Sequence, residues 1–467
     1  MFYHINMKDN LNDDKLNIAM GIDSYLPTVD GVVQCMHNYC TILSKTNNVV
    51  ALAPKNRKDY VDNFDYKVIR CKSSYIPIAK YYYGNPTGDN KFKKEVEKYN
   101  FDIIHVHSPF KIAKFAISYA KKHNIPVVAT FHTNFRPIFN DIFKNTAITE
   151  SICAGFGDVY NKMDEIFVCS EGVAKQARSF GYKGKITYLP FGTDFEKCGN
   201  VEKLREEANL KFNLKNDELV FIFVGRVMPL KRVDFILESL KILKDKGVDF
   251  KFYVVGKGMY TEKLKKLAKL LGIEKNVIFT GFIDRDMFKY YYARADLLLF
   301  PSIYDNFGLV KVEAAAFSTA GVYVEDTQAG YGIKDKHNGF ISKDNVNSYA
   351  ETIYNAIQDR ENLKQIGINA SNEIYYSWED CTKLLLERYK EIIKEKKAKL
   401  SKEEKKVKLK NTSPDVVKRA RKIDTIKTKM LKKEGRIYMK KENKQFSDAK
   451  KFVRKTERKI NKVKLES

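Results

Sequence analysis

Features that mark several common protein classes are missing from this chain. Its seven cysteines are odd in number and form no Cys-x-x-Cys pair, which argues against a disulfide framework or a paired-cysteine zinc site and indicates reduced thiols. No run of about 18 apolar residues is present, so no transmembrane helix is predicted. The first 15 residues are polar and acidic and lack the apolar stretch of a signal peptide. Together these absences predict a cytoplasmic protein.

Positive charge is the property in excess. The chain has 84 Lys and Arg against 58 Asp and Glu, a net of +26, and residues 401–467 hold 25 against 9, a net of +16. This basic tail, expected to be helical or disordered, predicts contact with an anionic membrane surface. A solvated tail without a partner is the alternative. Nucleic acid is disfavoured because only Tyr438, Phe446 and Phe452 are available for stacking on bases.

Short apolar runs alternate with helical patterns along the 467 residues, which predicts an α/β protein with two doubly wound parallel sheets. The predicted strands are 16–22, 49–53, 102–107, 126–132, 165–169 and 185–189 in the first half, and 219–224, 250–255, 277–280, 295–300 and 321–324 in the second. A polar stretch at 196–217 predicts a linker between domains 1–195 and 218–378. Ligands bind beyond the carboxyl ends of such strands, so the cleft between the halves is the expected site.

The segment 302–317 follows an apolar strand and opens a helix. Gly308 allows a close backbone approach, and free N–H groups at the start of a helix hold anions or hydroxyls. A carboxylate such as Glu313 is suited to binding a sugar diol. A helix cap with a surface glutamate is the alternative. The candidate residues here are Asp305, Asn306, Phe307, Gly308, Leu309 and Glu313.

Two further strand ends carry candidate residues. Arg226 and Lys231 follow one strand and could neutralise a diphosphate, although two solvated cations are the alternative. In the first half, the loop 21–33 contains Gly31, whose position would let backbone N–H groups meet a phosphate. His132 ends a buried strand, where a residue of the cleft belongs, although a structural histidine is the commoner case.

Two other patterns resemble metal sites. His105 and His107 have a spacing that suits a metal, but no third ligand is evident, so we interpret them as structural or cleft-lining. The Asp-Arg-Asp sequence at 284–286 begins a helix and is interpreted as a helix cap. No metal site is therefore predicted.

Together these segments resemble the retaining GT-B glycosyltransferases of glycosyltransferase family 4, over residues 16–395. The matching residues are Asp30-Gly31-Val32, Thr130-Phe131-His132, Cys169-Ser170-Glu171, Pro190-Phe191-Gly192-Thr193-Asp194, Gly225-Arg226 with Lys231, Gly256-Lys257-Gly258, and Asp305 with Glu313. Two departures stand out. Asp305 replaces the usual glutamate, and Thr319-Ala320-Gly321 replaces Gly-x-Pro.

The resemblance implies a role for each candidate residue and a reaction without a bound metal or other cofactor. It also implies a final helix, 379–400, that crosses back to the first domain. The implied roles are the donor diphosphate for Gly31, Arg226 and Lys231, the ribose for Glu313, the sugar hydroxyls for Asp305 and the Asn306–Leu309 loop, and the transferred sugar for His132.

Within the family, the first half is most similar to bacterial diacylglycerol glucosyltransferases, at residues 25–32, 105–110 and 130–135. This implies transfer of a hexose, with retention, from UDP-glucose to a membrane lipid such as diacylglycerol, by a peripheral protein at the inner face of the membrane. The amphipathic segment 111–122 is predicted to dock on that surface. The alternatives are extension of a cell-surface polysaccharide or lipid-linked oligosaccharide, and a non-catalytic binding protein with the same fold.

Overall fold

The computed structural model describes residues 15–410 apart from 29, 57–59, 77–80, 133, 304 and 306, with no side-chain detail for 76, 81 and 403–410. Asn306 and the tail beyond 410 therefore lie outside the described residues. Residues up to Ile393 belong to one compact unit. Among the described helices, none combines the length and apolar character needed to cross a membrane.

The described residues of the first half form nine strands and six helices. The strands are β1 (Asn17–Gly21), β2 (Asn48–Pro54), β3 (Lys67–Cys71), β4 (Ser73–Ile76), β5 (Tyr81–Gly84), β6 (Ile103–Val106), β7 (Val127–Thr130), β8 (Glu165–Val168) and β9 (Lys185–Tyr188). The helices are α1 (Gly31–Ser44), α2 (Asn90–Val96), α3 (Lys111–His123), α4 (Phe135–Phe143), α5 (Thr146–Tyr160) and α6 (Glu171–Ser179). Seven strands form a parallel sheet in the order β3-β2-β1-β6-β7-β8-β9, while β4 and β5 form a separate antiparallel hairpin.

The second half repeats this design. The strands are β10 (Val220–Val224), β11 (Lys251–Val255), β12 (Val277–Gly281), β13 (Leu297–Leu299), β14 (Gly321–Val324) and β15 (Phe340–Ser342). The helices are α7 (Val201–Phe212), α8 (Val233–Asp245), α9 (Thr261–Leu270), α10 (Arg285–Arg294), α11 (Leu309–Ala316), α12 (Val346–Ala356), α13 (Arg360–Glu373) and α14 (Trp378–Lys410). The six strands are parallel, in the order β12-β11-β10-β13-β14-β15.

The prediction of two doubly wound sheets is confirmed, and every predicted strand is present to within two residues. The central strands were predictable because both of their faces are covered; all five residues of β10, Val-Phe-Ile-Phe-Val, are buried. The strands β3 and β15 and the hairpin β4–β5 were missed. β3 carries Lys67 and Arg70 at a sheet edge, and β15 has only three residues, so neither forms a long apolar run.

The predicted linker at 196–217 contains the helix α7, which packs against α10. Asn209 on this helix accepts a hydrogen bond from the fully buried Arg294, whose guanidinium also donates to the carbonyls of Lys215 (3.1 Å) and Glu218 (2.7 Å). The segment is therefore fastened to the second sheet. The sequence did not reveal this because the partners that satisfy its polar groups lie about 80 residues further along the chain. The domain limits at 195 and 218 stay predictions.

Helix α14 begins beside the first sheet. Trp378, Cys381, Leu385 and Tyr389 are all buried in the core of that sheet, where the ring of Trp378 packs against aromatic rings of the first half. Arg388 forms a two-point ion pair with Glu165 on β8, with Nε–Oε1 at 3.0 Å and Nη2–Oε2 at 2.7 Å. The chain therefore returns to the first sheet after completing the second.

The predicted membrane contact through residues 111–122 is wrong. Ile112, Phe115 and Tyr119 point into the core of the first sheet, where none is more than 7% exposed. The amphipathic pattern of α3 arises because one face of the helix covers the sheet and the other meets water. An apolar stripe of this kind predicts burial, but it does not indicate which surface provides it.

Arg388→Ala should lower the free energy of unfolding by about 3 kcal/mol, because it leaves the carboxylate of Glu165, only 2% exposed, without its main partner. Lys383→Ala on the same helix is the control, since its exposed ion pair with Asp380 contributes under about 1 kcal/mol. Urea unfolding of both variants measures the difference. Equal midpoints would contradict the role of this ion pair.

Candidate active site

The carboxyl edge of the second sheet brings Lys231 and Asp305 into direct contact. Lys231 Nζ lies 2.5 Å from Oδ1 and 2.6 Å from Oδ2 of Asp305, and both side chains are about one-fifth exposed. The shorter acid at position 305 therefore still reaches the lysine. Arg226 is exposed just beyond the end of β10. This edge offers two cations and one carboxylate to a bound ligand.

Glu313 is held firmly on helix α11. The hydroxyl of Tyr292 donates to its Oε2 at 2.5 Å, and Nη1 of Arg285 donates to its Oε1 at 3.0 Å. Burial, followed by the carboxylate of Glu313, raises the pKa of Tyr292 well above its usual value, so this hydroxyl stays a donor. The glutamate is thus oriented before any ligand arrives.

The loop before α11 has the backbone expected of an anion or hydroxyl site. Gly308 occupies the N-cap position with φ of 72°, in the left-handed region, and a Cβ there would lie 3.0 Å from the ring of Phe300. A glycine is therefore required on both conformational and steric grounds. Leu309 begins the helix, so the first free N–H groups of α11 follow this turn.

Lys311 supports this loop from behind and was not predicted. Its ammonium donates to the carbonyls of Ala329 (3.1 Å) and Tyr331 (2.9 Å), and it lies 4.7 Å from the ring centre of Phe307. Burial lowers the pKa of Lys311 to about 8. A single sequence does not reveal that Lys311 is buried behind the loop that precedes α11. A lysine in a helical pattern is normally expected at the surface.

On the first sheet, Gly31 is the first residue of α1, whose N-cap is Asp30. The Asp30 carboxylate accepts hydrogen bonds from the N–H groups of Val32 and Val33, each at 2.9 Å. Apart from its chain neighbours and the backbone of its own helix, no atom of the described residues lies within 4 Å of the position that a Cβ of Gly31 would occupy. The start of this helix is therefore open on that side, as a phosphate-binding turn requires.

His132 follows β7 and belongs to a column of stacked rings. His105 stacks on His107 with 4.3 Å between ring centres, His107 on His132 at 5.0 Å, and His132 on Phe191 at 5.4 Å. A hydrogen bond of 2.8 Å joins Nδ1 of His107 to Nε2 of His132. Burial lowers the pKa of His132 to about 3, so its ring is neutral at pH 7.

The two halves meet at this column. Phe191, next to His132, makes an edge contact with Phe307 of the α11 loop, at 5.4 Å between ring centres. Ser170 donates to the side-chain oxygen of Gln328 (2.9 Å), and Arg285 reaches Asp194 (3.3 Å). The structure thus connects His132, through Phe191, with the loop that precedes α11 in the second half.

Sequence reasoning missed two residues besides Lys311. Arg285 and Tyr292, which hold Glu313, both lie on α10. Asp284 does occupy the N-cap position of that helix, as predicted, although its carboxylate makes no capping hydrogen bond. The sequence did not reveal that Arg285, at the centre of the Asp-Arg-Asp cap, supports Glu313, because the two residues are 28 positions apart in the chain.

This geometry defines a class of protein with two Rossmann-like halves, in which Lys231, Arg226 and Asp305 lie at the carboxyl edge of the second sheet and Glu313 is held by Arg285 and Tyr292. Residues 29–197 match the family described as Glycosyltransferase Family 4, and residues 205–373 match Glycosyl transferases group 1. The chain belongs to the GT-B glycosyltransferases, in which these two domains are paired.

Among curated proteins, the chain is similar to the alpha-monoglucosyldiacylglycerol synthase of Streptococcus pneumoniae. The two are 26% identical over 311 residues, which cover 65% of this chain and 70% of that one. It is also similar to the enzyme of the same name from Acholeplasma laidlawii, with 25% identity over 370 residues, 76% of this chain and 91% of that one.

Solved structures establish the GT-B fold. The Anabaena protein HepE in complex with UDP superposes with a TM-score of 0.65 at 16% identity, over 80% of this chain and 100% of that one. The same protein in complex with UDP-glucose gives 0.61 at 16% identity, over 80% and 99%. Sucrose-phosphate synthase from Thermosynechococcus elongatus gives 0.64 at 18% identity, over 80% and 99%.

Activity should fall above pH 8, because deprotonation of Lys311 removes the positive charge behind Phe307. Unfolding is not the cause: between pH 8 and the usual 10.5 the folded protein binds fewer protons at this group than the unfolded chain, so this titration favours folding as pH rises. Lys311→Met should lack the alkaline limb. A pH–rate profile in which the variant keeps that limb would rule out Lys311 as its source.

Lys231→Ala should lower the rate of glycosyl transfer at least about 100-fold, the typical cost of removing one group that stabilises developing charge. Glu313→Ala should lower kcat/KM for the donor by a similar factor, because it removes a group that holds the donor. Lys263→Ala, a lysine of α9, is the charge-matched control for Lys231→Ala and should retain the normal rate. Initial rates over a range of donor concentrations, with circular dichroism to verify folding, provide the measurement. A folded variant at either site with near-normal turnover would refute the assignment.

Proposed function

We propose that this protein transfers glucose from UDP-glucose to diacylglycerol, with retention, and without a metal ion in the transfer step. The observation that carries the proposal is the preformed Lys231–Asp305 pair beside a fixed Glu313, in a chain related to alpha-monoglucosyldiacylglycerol synthases. A cation adjacent to a carboxylate matches the junction between the diphosphate and the sugar of a nucleotide sugar. The neighbour crystallised with UDP-glucose supports this choice of donor.

In the proposed complex, Lys231 and Arg226 face the diphosphate, together with the open start of α1 at Gly31. Asp305 and the backbone of Phe307–Leu309 hold the sugar hydroxyls, Glu313 holds the ribose, and His132 contacts the sugar from the opposite sheet. The two cations stabilise the negative charge that develops on the departing diphosphate. In other enzymes a metal ion has this role.

The proposed reaction exchanges one carbon–oxygen bond for another. The bond between the anomeric carbon and the diphosphate oxygen breaks as the acceptor hydroxyl oxygen bonds to that carbon from the same face. The acceptor proton passes to the departing diphosphate. The neutral ring of His132 is suited to hydrogen bonding with the sugar, because a protonated imidazole would repel the positive charge that develops there.

Helix α4 favours a lipid acceptor. It begins three residues after His132 and contains no buried residue, although its apolar side chains include Ile138 (47% exposed) and Ile142 (61%). These two lie four residues apart and share one face, with Phe143 (39%) beside them and Ile148 (41%) at the start of α5. Several exposed apolar side chains close together in the chain beside a site are typical of contact with a membrane or another apolar partner.

The basic tail would add electrostatic attachment at the inner face of the membrane. Each Lys or Arg near an anionic surface contributes roughly 1 kcal/mol, so the net +16 of residues 401–467 is sufficient to retain the protein there. Vesicle flotation, with and without anionic lipid and with and without residues 401–467, tests this. Binding that ignores both lipid charge and salt would contradict it.

The decisive experiment supplies UDP-glucose and vesicles containing diacylglycerol, with EDTA present. We expect a monoglucosyl lipid by mass spectrometry, with the α-linkage by NMR. Transfer only to an oligosaccharide or polysaccharide acceptor would instead support the second class of function. Absence of turnover with every donor and acceptor, with UDP still bound, would identify a non-catalytic binding protein.

Replacement of Ile138 and Ile142 together by Asn should lower transfer to vesicle-borne diacylglycerol at least about 10-fold, because it removes apolar area that would enter the lipid. UDP binding should not change. Leu270→Asn is the matched control, since Leu270 is 84% exposed on α9. Equal loss in the control would show that the face of α4 has no special role.

A further inference from the structure

Three potential metal ligands meet beneath the sugar site. Cys35 lies on α1, His107 follows β6 and His132 follows β7. One ligand atom from each of the three lies within 4.8 Å of those from the other two. The sequence contains the pair His105 and His107 with no evident third ligand. In the structure, the group of potential ligands consists of His107, His132 and Cys35, and Cys35 lies on a helix about 70 residues before His107 in the chain.

The neighbouring His105 shows what a purely structural histidine looks like here. Its Nδ1 is bonded to the hydroxyl of Tyr389 (2.5 Å) and its Nε2 to the hydroxyl of Thr130 (2.7 Å), so both ring nitrogens are satisfied. His107 is different. It is 2% exposed, and its Nε2 is buried without a hydrogen-bond partner. A buried polar atom without a partner is costly, and native proteins keep few of them.

The chemistry of the cluster selects the kind of ion. Two imidazoles and a thiol provide nitrogen and sulfur donors and no oxygen, which suits Zn²⁺ and disfavours Mg²⁺ or Ca²⁺. Three protein ligands leave the fourth tetrahedral position open, as in zinc sites that exchange their ligands. The 2.8 Å between Nδ1 of His107 and Nε2 of His132 is the length of their hydrogen bond, so an ion that binds both rings must either break this bond or use the unpartnered Nε2 of His107.

We propose that Cys35, His107 and His132 form an inhibitory site for Zn²⁺. The ion takes one lone pair from each neutral imidazole, whose own proton stays on the ring nitrogen that does not bind the ion, and it replaces the proton of the Cys35 thiol, which passes to solvent. Because Zn²⁺ takes His132 away from the sugar, a bound ion and the transferred sugar exclude each other. Only this last consequence rests on the proposed function; binding of the ion does not.

Co²⁺ is the probe for the site, because a cobalt–thiolate bond gives a charge-transfer band in the near ultraviolet and tetrahedral cobalt gives intense visible bands. Titration of the full, metal-free chain should give both bands at about one equivalent, and Zn²⁺ should remove them. Cys35→Ser should abolish the charge-transfer band. Cys153→Ser, which changes a fully buried cysteine of α5, is the matched control and should keep it.

His107→Gln provides a second variant in case Cys35→Ser fails to fold, and it should weaken Co²⁺ binding at least 10-fold. Absence of the bands in the unaltered protein, or their survival in a folded Cys35→Ser variant, would overturn the site. Zn²⁺ should also inhibit transfer, with at least 10-fold resistance in Cys35→Ser. Undiminished turnover by the zinc-loaded protein would remove His132 from the ligand set. Bands without any transferase activity would count against the proposed function alone.

Discussion

The return of α14 to the first sheet is the contact on which the site depends. Tyr389 on this helix binds His105, and Arg388 binds Glu165, so the chain is fastened to the first sheet after it has built the second. His105 is the base of the ring column that leads through His107 to His132. A contact made near the end of the fold is therefore linked through stacked rings to the position of His132, which follows β7.

Charge is distributed differently on the two sides of the cleft. The second sheet contributes paired groups, Lys231 with Asp305 and Arg285 with Glu313, which are oriented without a ligand. The first sheet contributes neutral imidazoles, whose burial keeps them uncharged, and the open start of α1. Such a division suits a substrate with an anionic half and an uncharged sugar half, and it avoids placing a cation beside a positively charged transition state.

Helices α3 and α4 show that an amphipathic pattern does not identify what covers the apolar face of a helix. Helices α3 and α4 both carry apolar stripes, but α3 covers the sheet while α4 leaves Ile138 and Ile142 in water. Hydrophobic periodicity identifies the apolar face of a helix, but it does not identify the partner that covers this face. The exposed face belongs to the helix that begins three residues after His132.

Much of this protein was predictable from sequence. The core strands were, because β1, β10 and their neighbours are buried on both faces and so form apolar runs. Glu313, Lys231 and His132 were located because parallel strands place their carboxyl ends at one edge. The sequence did not reveal that α7 is a packed helix or that Arg285 and Tyr292 support Glu313. It also did not reveal that Lys311 is buried or that Cys35 lies close to two histidines. Each of these depends on partners 18 to 97 residues apart in the chain, and side chains that distant become neighbours only when the sheets have formed.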